Sequence, residues 1–176
     1  MGQGQGKDLS YEIEDKYECL IGKTVWSVHK GKRKSDNLAV TLFVFEGSEG
    51  REQEQMKAAK RAYVRLKTFR HPNVIKFIDG METETTLTVA TEPVTPLEEF
   101  LRQKDGKNEL EISWGLHQIS KGLTFLSEDC SLVHGNICLS SVFVDQRRPQ
   151  TRRGVWPDFY LLNPGLKPGV RRNRRH

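Results

Sequence analysis

The sequence predicts an α+β fold, in which a twisted antiparallel sheet with one packed helix precedes a helical part. Strand-like and helix-like patterns alternate along the chain, and the longest helical pattern follows most of the strands. The 176 residues, 36% hydrophobic and 29% charged, suffice for one modest core but not for two full domains. No apolar run approaches the roughly 20 residues that a membrane-spanning helix needs.

The first half of the chain contains the patterns expected for the sheet and its helix. A strand is expected at Thr24–His29. The run Asn37–Phe45 is β-branched and aromatic on both faces, which is typical of a strand inside a sheet. Arg51–Thr68 has a helical period instead, with basic residues opposite its apolar positions. Those apolar positions are Met56, Ala59, Tyr63 and Leu66.

The next part of the chain begins at His71-Pro72-Asn73. This segment ends the predicted helix Arg51–Thr68, because proline disfavours helix at the preceding residue. The longest helix is predicted at Leu110–Ser127, where one apolar stripe runs along four turns. That stripe consists of Ile112, Leu116, Ile119, Leu123 and Leu126. The remaining predicted elements are strands Val74–Ile78, Thr86–Thr91 and Val142–Val144 and a short helix Leu97–Gln103.

The positive charge of the chain is concentrated in its last residues. Residues 146–176 carry nine Lys and Arg against one acidic residue, Asp158, a net charge of +8. The 145 residues before them have 19 basic and 22 acidic groups, or −3, so the body lacks the basic surplus of a nucleic-acid-binding domain. Three scattered cysteines make no disulfide framework and favour a reducing, cytoplasmic compartment.

Three segments carry a resemblance to a known family. They are Leu66-Lys-Thr-Phe-Arg-His-Pro-Asn-Val-Ile-Lys76, Thr91-Glu-Pro-Val-Thr-Pro-Leu97 and Leu132-Val-His-Gly-Asn-Ile-Cys-Leu-Ser-Ser-Val-Phe-Val-Asp145. Together with the order of the elements, they resemble a protein kinase from its first strands to its catalytic loop. Glu111–Ile119 and Ser140–Asp145 are especially similar to the SCY-like pseudokinases, the "N-terminal kinase-like" proteins of vesicle traffic.

The resemblance implies a protein-kinase-like N-lobe at 11–94 and an incomplete helical C-lobe at 95–145. We expect a disordered leader at 1–10 and a disordered basic tail at 146–176. Because a kinase domain continues well past its catalytic loop, the resemblance also implies a chain truncated within that domain, either as an isoform or as an incomplete gene model.

Compared with a working kinase, the sequence lacks the charged groups of phosphoryl transfer. Phe43 stands where a lysine would hold the α- and β-phosphates, and Ala62 replaces the helix glutamate that pairs with this lysine. Bulky residues at Trp26–Gly31 stand where the first hairpin should be glycine-rich. Loss of the lysine and the glutamate together is consistent, since a buried glutamate without its lysine would be an uncompensated charge.

The catalytic loop has lost its acid–base and metal-binding residues as well. Asn136 replaces the catalytic aspartate, Cys138 the following lysine and Ser141 the metal-binding asparagine. Asp158-Phe159-Tyr160 lies too late and lacks the glycine of an Asp-Phe-Gly motif, so we interpret it as a chance match. We therefore expect a pseudokinase with no catalytic residue, no cofactor and no metal.

One alternative from the enzyme class stays open, and a metal site is a weaker one. Residual ATP binding or weak kinase activity would need Lys30, Lys32 or Lys60 in place of the missing lysine. A nucleotide would then contact the hinge-equivalent residues Thr91, Glu92, Pro93 and Val94. Cys130, His134 and Cys138 are spaced by four, but three ligands without a fourth make a poor zinc site, so structural packing is favoured.

The resemblance implies a scaffold in Golgi-to-ER vesicle traffic. Its expected partners are proteins of the coat and trafficking machinery, and its expected place is the cytoplasm, peripheral to Golgi and ER–Golgi membranes. A further alternative is a basic tail that binds nucleic acid or an anionic surface, although we expect no nucleic-acid partner for the body. The aromatic run Val155–Leu162 could be a docking peptide, but loose packing or collapse in the tail is the simpler interpretation.

Overall fold

The computed structural model describes residues 10–47, 52–103, 108–145 and 158–161. A five-stranded antiparallel sheet with strand order β1-β2-β3-β5-β4 forms the first lobe, and a three-stranded antiparallel sheet with order β6-β7-β8 lies in the second. The first sheet contains β1 Tyr11–Lys16, β2 Ser27–Arg33, β3 Ala39–Glu46, β4 Phe77–Glu82 and β5 Thr86–Thr91. The second contains β6 Thr95–Pro96, β7 Val142–Asp145 and β8 Asp158–Leu161. The helices are α1 Glu52–Thr68, α2 Leu97–Arg102 and α3 Glu109–Thr124.

The expected kinase-like α+β fold is confirmed, and β3 and α1 lie where their patterns predicted them. β3 pairs with β2 on one side and β5 on the other, and its six middle residues are all buried. Ala59, Tyr63 and Leu66 of α1 join the main core, with Met56 partly buried against it. Because α1 packs through this stripe and the adjacent Ala62, its opposite face points away from the sheet.

Several strand bounds differ from the prediction. β1 was not predicted, because four of its six residues are charged and only Tyr11 is buried. The expected strand Thr24–His29 starts later, at Ser27, and continues to Arg33. The expected strand Val74–Ile78 begins later, at Phe77, and extends as far as Glu82. Gly31 explains part of this pairing, since a Cβ there would lie 2.7 Å from the carbonyl oxygen of Glu12 in β1.

The longest helix packs through part of its predicted apolar stripe, since Ile119 and Leu123 are partly buried against the cluster that contains Leu126, and through small residues beside that stripe. Its buried residues include Gly115, Gln118 and Gly122, whereas Leu116 is 60% exposed and Ile112 is exposed as well. A Cβ at Gly122 would lie 2.9 Å from Cδ1 of Leu161 and 3.1 Å from the carbonyl oxygen of Asn73. The small residues therefore decide which face approaches β8, because only they allow such close contact.

The end of this helix and the residues after Asp145 also differ from expectation. α3 stops at Thr124 and continues as one π-helical turn, Phe125–Asp129, in which Leu126 is buried. Residues 158–161, in the segment expected to be disordered, form β8, which pairs with β7 and buries Leu161. The physical reason is that β7 offers a free ladder edge that β8 completes. The rest of the leader and of the tail lies outside the described residues.

The described residues form three apolar clusters, and β7 contributes to two of them. Phe143 joins the main core under the five-stranded sheet, while Val142 and Val144 join a second core with Leu126 and Leu161. Successive residues of a strand point to opposite faces, so one short strand serves both lobes. None of the helices in the described part of the chain is long and apolar enough to cross a membrane.

His71 fixes the chain after α1 against the π-helical turn. Its ring stacks on Phe125 with centroids 4.6 Å apart, and its Nδ1 accepts the backbone N–H of Asn73 at 3.1 Å. Burial lowers the pKa of His71 from 6.5; nearby Asp129 opposes this shift and Lys121 adds to it. The folded protein therefore favours the neutral imidazole.

We expect the folded protein to lose stability as the pH falls through 6.5, because the unfolded state then binds a proton that folded His71 resists. The loss should level off below the lowered pKa of the folded state. Melting temperature measured between about pH 8 and 5 tests this. His71→Asn keeps an acceptor near the position of Nδ1 and should reduce the change of melting temperature with pH. Part of that change should remain, because burial also lowers the pKa of His29. An unchanged slope in this variant would contradict the assignment.

Candidate functional site

The cleft between the two lobes is filled by aromatic rings. Phe43 of β3 and Phe143 of β7 are 1% and 0% exposed, and their ring centroids lie 5.5 Å apart in an edge-to-face contact. Trp26 adds edge-to-face contacts to Phe43 at 6.4 Å and to Phe45 at 6.2 Å. Such contacts stabilise beyond the area they bury. The position that the resemblance assigns to a phosphate-binding lysine is thus part of a packed, apolar core.

Ala62 occupies the place of the partner glutamate in the same way. It is 3% exposed and belongs to the buried cluster that contains Phe43, Phe143 and Val94. Neither α1 nor β3 thus brings a charge to this position. The two expected replacements lie in one apolar cluster, where they preserve packing instead of an ion pair.

The hinge-equivalent residues hydrogen-bond to the protein itself. The Val94 N–H donates to Thr41 Oγ1 at 2.9 Å, and the Thr41 hydroxyl donates to the Val94 carbonyl at 3.0 Å. The Tyr17 hydroxyl donates to the same carbonyl at 3.2 Å. A carbonyl oxygen has two lone pairs, so both are used here. The backbone groups that an adenine ring would bind at Val94 are therefore already paired.

The neighbouring hinge residues are bonded as well. The Thr91 hydroxyl lies 3.0 Å from the Glu92 carbonyl oxygen and 3.3 Å from that of Thr41. The Glu92 N–H donates to the Lys76 carbonyl at 3.1 Å, and the Lys76 N–H donates to the Glu92 carboxylate at 3.0 Å. Pro93 has no N–H to offer. The hinge is stabilised from within, through contacts to β3 and to the segment before β4.

The connection from β1 to β2 folds into the cleft. It runs from Tyr17 to Trp26, so most of Trp26–Gly31, which we had aligned with the glycine-rich turn, lies in β2 instead. A 3-10 turn at Glu18–Leu20 buries Cys19 and Leu20 in the main core. Burial, then the nearby carboxylates of α2, raise the pKa of the Cys19 thiol, which stays protonated. The turn therefore contributes packing where a phosphate-binding loop would leave space.

An ion pair joins this connection to the second lobe. Lys23 pairs with Glu98 of α2, and Glu98 also pairs with Arg102 at 3.1 Å. The hydrogen bond from Lys23, helped by Arg102, lowers the pKa of Glu98. The pair is partly exposed and contributes little stability by itself. It nevertheless links the connection between β1 and β2 to α2 of the second lobe.

The degenerate catalytic loop forms a turn that uses its own polar groups. The Ser141 hydroxyl donates to the Cys138 carbonyl at 3.0 Å and accepts the Cys138 N–H at 3.0 Å. The Asn136 N–H donates to Nδ1 of the buried His134 at 3.3 Å. Ser141 is fully buried, so its hydroxyl closes the turn instead of facing a metal ion. His134 holds the loop by a hydrogen bond.

The three alternative lysines contact other groups of the protein, and the cysteine–histidine spacing does not form a metal site in the described ranges. Lys32 pairs with Glu14 of β1, Lys60 pairs with Glu82 of β4 at 2.7 Å, and Lys30 lies 5.7 Å above the Tyr17 ring. Within the described ranges, no three His, Cys, Asp or Glu side chains are grouped as a metal site would require. The described surface cleft of about 590 Å³ lies elsewhere, lined by Tyr11, Arg33 and Asp79 among others.

Sequence reasoning missed Thr41 and Phe143, the two residues that close this cleft. The signal for Thr41 was available, because a hydroxyl inside an otherwise apolar internal strand needs a hydrogen-bond partner. No local pattern indicates its partner, which lies 53 residues away. Phe143 was assigned to a short strand, but which lobe its ring enters depends on the register of that strand.

Comparison with known proteins agrees with this geometry. A family model described as "Protein tyrosine and serine/threonine kinase" matches residues 18–152. "Probable inactive serine/threonine-protein kinase scy1" of Dictyostelium discoideum is 42% identical over 149 residues, covering 83% of this chain and 18% of that protein. "SCY1-like protein 2" of Homo sapiens is 28% identical, covering 74% and 16%. "CaM kinase-like vesicle-associated protein" of Danio rerio is 29% identical, covering 93% and 38%.

The chain thus spans between 16% and 38% of the length of these relatives. The family model covers well over half of the chain, and the two-lobed sheet topology with α1 is present. The chain therefore belongs to the protein kinase family, within its SCY1-like group.

Proposed function

We propose that this chain is a catalytically inactive kinase-like domain that acts as a protein scaffold. The observation that carries the proposal is the contact of Phe43 with Phe143 inside the cleft, at the position of the missing lysine. Phosphoryl transfer is catalysed mainly by positioning and by neutralising the charge of the phosphates. A packed pair of rings can do neither. The self-bonded hinge supports the same conclusion, since an adenine would have to break buried hydrogen bonds to bind.

We further propose that the scaffold works in vesicle traffic between the Golgi and the ER, on the cytoplasmic face of these membranes. Support comes from two relatives, one whose name states that it is probably inactive and one whose name states that it is vesicle-associated. Its partners would be proteins of the coat and trafficking machinery. Affinity capture from cells with this chain as bait tests the proposal, and recovery without any coat or trafficking protein would contradict it.

ATP with Mg²⁺ should leave the melting temperature of the chain unchanged. A ligand at 100 times its Kd stabilises the folded state by about 2.7 kcal/mol, which is readily seen as a shift of several degrees. Thermal denaturation with millimolar nucleotide, compared with Mg²⁺ alone, makes the measurement. A rise that disappears in Lys60→Ala or Lys32→Ala would establish residual nucleotide binding instead.

Restoring the lysine should destabilise the protein and create no nucleotide site. In Phe43→Lys, a charge would enter a cluster of aromatic rings with Ala62 where its carboxylate should be, at a cost of several kcal/mol. Phe43→Leu, the control, keeps an apolar group but loses the ring contacts and leaves a small void, so it should cost less than a full truncation to alanine, about 3–5 kcal/mol, and less than Phe43→Lys. Urea unfolding gives both values. If Phe43→Lys is as stable as Phe43→Leu, the site is not the dry cluster described above.

Removing the Thr41 hydroxyl should weaken the hinge. Thr41→Val keeps the shape but leaves the buried Val94 N–H without its partner, at a cost of about 1–3 kcal/mol. Thr41→Ser keeps the hydroxyl and loses one methyl group, at about 0.8 kcal/mol. Hydrogen exchange of the Val94 amide should accelerate in Thr41→Val only. Equal exchange in both variants would show that another group protects this amide.

A further inference from the structure

The outward face of α1 carries a dense set of cations. This basic face consists of Lys57, Lys60, Arg61, Arg65 and Lys67. The residues between positions 55 and 78 include seven Lys and Arg and no Asp or Glu. At 1.5 Å per residue, the five cations of the basic face extend over about 15 Å of the helix. This clustering belongs to the folded body and is separate from the basic residues of 146–176.

The first part of this basic face weakens the helix. Lys57 and Arg61 are four residues apart, as are Arg61 and Arg65, and like charges at this spacing repel each other. Lys57 also lies in the first half of α1, where the helix dipole does not favour a cation. Arg65 and Lys67 lie in the last turn, where the helix dipole favours a cation. Helix stability gives no such reason for Lys57 and Arg61, whereas an external anion would.

The chain neutralises only part of this face. Lys60 pairs with Glu82 at 2.7 Å, and the Lys67 ammonium lies 4.9 Å from the centre of the Tyr63 ring. In the residues that the structure describes, no carboxylate forms an ion pair with Lys57, Arg61 or Arg65. Lys57 and Arg61 are exposed to solvent, so their charges are available to a partner.

We propose that the basic face binds an anionic membrane surface. The basic face lies on the solvent side of α1, where its long side chains can spread their charges. A flat layer of anionic headgroups can contact several such cations at once. Val64, 58% exposed, projects from the middle of the same face, where it can contact the acyl boundary while the cations reach the headgroups. The inference goes beyond the proposed scaffold, and its test involves no nucleotide.

The test uses the full chain and sedimentation with vesicles. One set is phosphatidylcholine alone, and the other also contains phosphatidylserine at roughly the level of a cytoplasmic leaflet. Each cation near an anionic membrane contributes about 1 kcal/mol, which is a factor of about five in affinity. The double variant Lys57→Gln with Arg61→Gln should therefore bind the anionic vesicles about 25-fold more weakly. Binding of the unmodified chain should fall as salt is added.

Two matched variants separate the face from net charge. Lys16→Gln with Lys34→Gln removes the same charge from the strands β1 and β2 and their turns, and Lys57→Arg with Arg61→Lys keeps the charge of the face. Both should bind nearly as well as the unmodified chain, and all variants should melt alike by circular dichroism. An equal loss in the Lys16 and Lys34 variant would overturn the proposal, because bulk charge or the basic tail would then explain binding. So would equal binding to neutral vesicles.

A last arm replaces the membrane by a soluble acidic polymer. If polyglutamate binds the unmodified chain more tightly than the anionic vesicles do, and the Lys57 and Arg61 variant loses this binding, the face belongs to an acidic protein partner and the membrane proposal is wrong. Tighter binding of the vesicles supports it.

Discussion

The contact between Phe43 and Phe143 is the constraint on which the rest of the cleft depends. β7 sends alternate residues into two cores, so the ring of Phe143 enters the sheet of the first lobe while its neighbours pack in the second. The two lobes are thereby joined through apolar packing at the place where a kinase would keep a solvated, charged cavity. A ring cannot leave this position without opening a void, and voids in cores are costly.

Filling the cleft with apolar groups also decides what its polar groups must do. A buried N–H or carbonyl without a partner is expensive, and the partners here come from Thr41 and Tyr17. The N–H and the carbonyl of Val94 in the hinge consequently both have hydrogen-bond partners within the protein. Loss of charge and closure of the hinge are thus linked consequences of one change, since an apolar cleft cannot leave the hinge unsatisfied.

Much of the fold follows from local patterns, and the differences have identifiable causes. β3 and α1 were predictable because their periodicity extends over many residues and decides their burial. The packing of α3 was predictable only in part, because Ile119 and Leu123 of the stripe do pack, while Gly122 sets the closest approach and Leu116 stays exposed. β8 was missed because its stability comes from pairing with β7, which no pattern within residues 158–161 announces. For the site, the resemblance identified which charges are missing, but the groups that fill the cleft become visible only in the tertiary structure.

With apolar rings packed between the lobes, the surface is the place where a partner would bind. The described surface offers two contrasting features, the basic outward face of α1 and the exposed apolar residues of α3 such as Leu116. In an active kinase the helix equivalent to α1 is tied to the cleft through its glutamate, which couples its position to nucleotide. Ala62 removes that coupling, and α1 is held instead by packing against the sheet and by the Lys60–Glu82 ion pair to β4. Because the position of α1 is not coupled to nucleotide through a glutamate, its outer face can serve as a docking surface of fixed geometry. Such a surface suits a scaffold better than a switch.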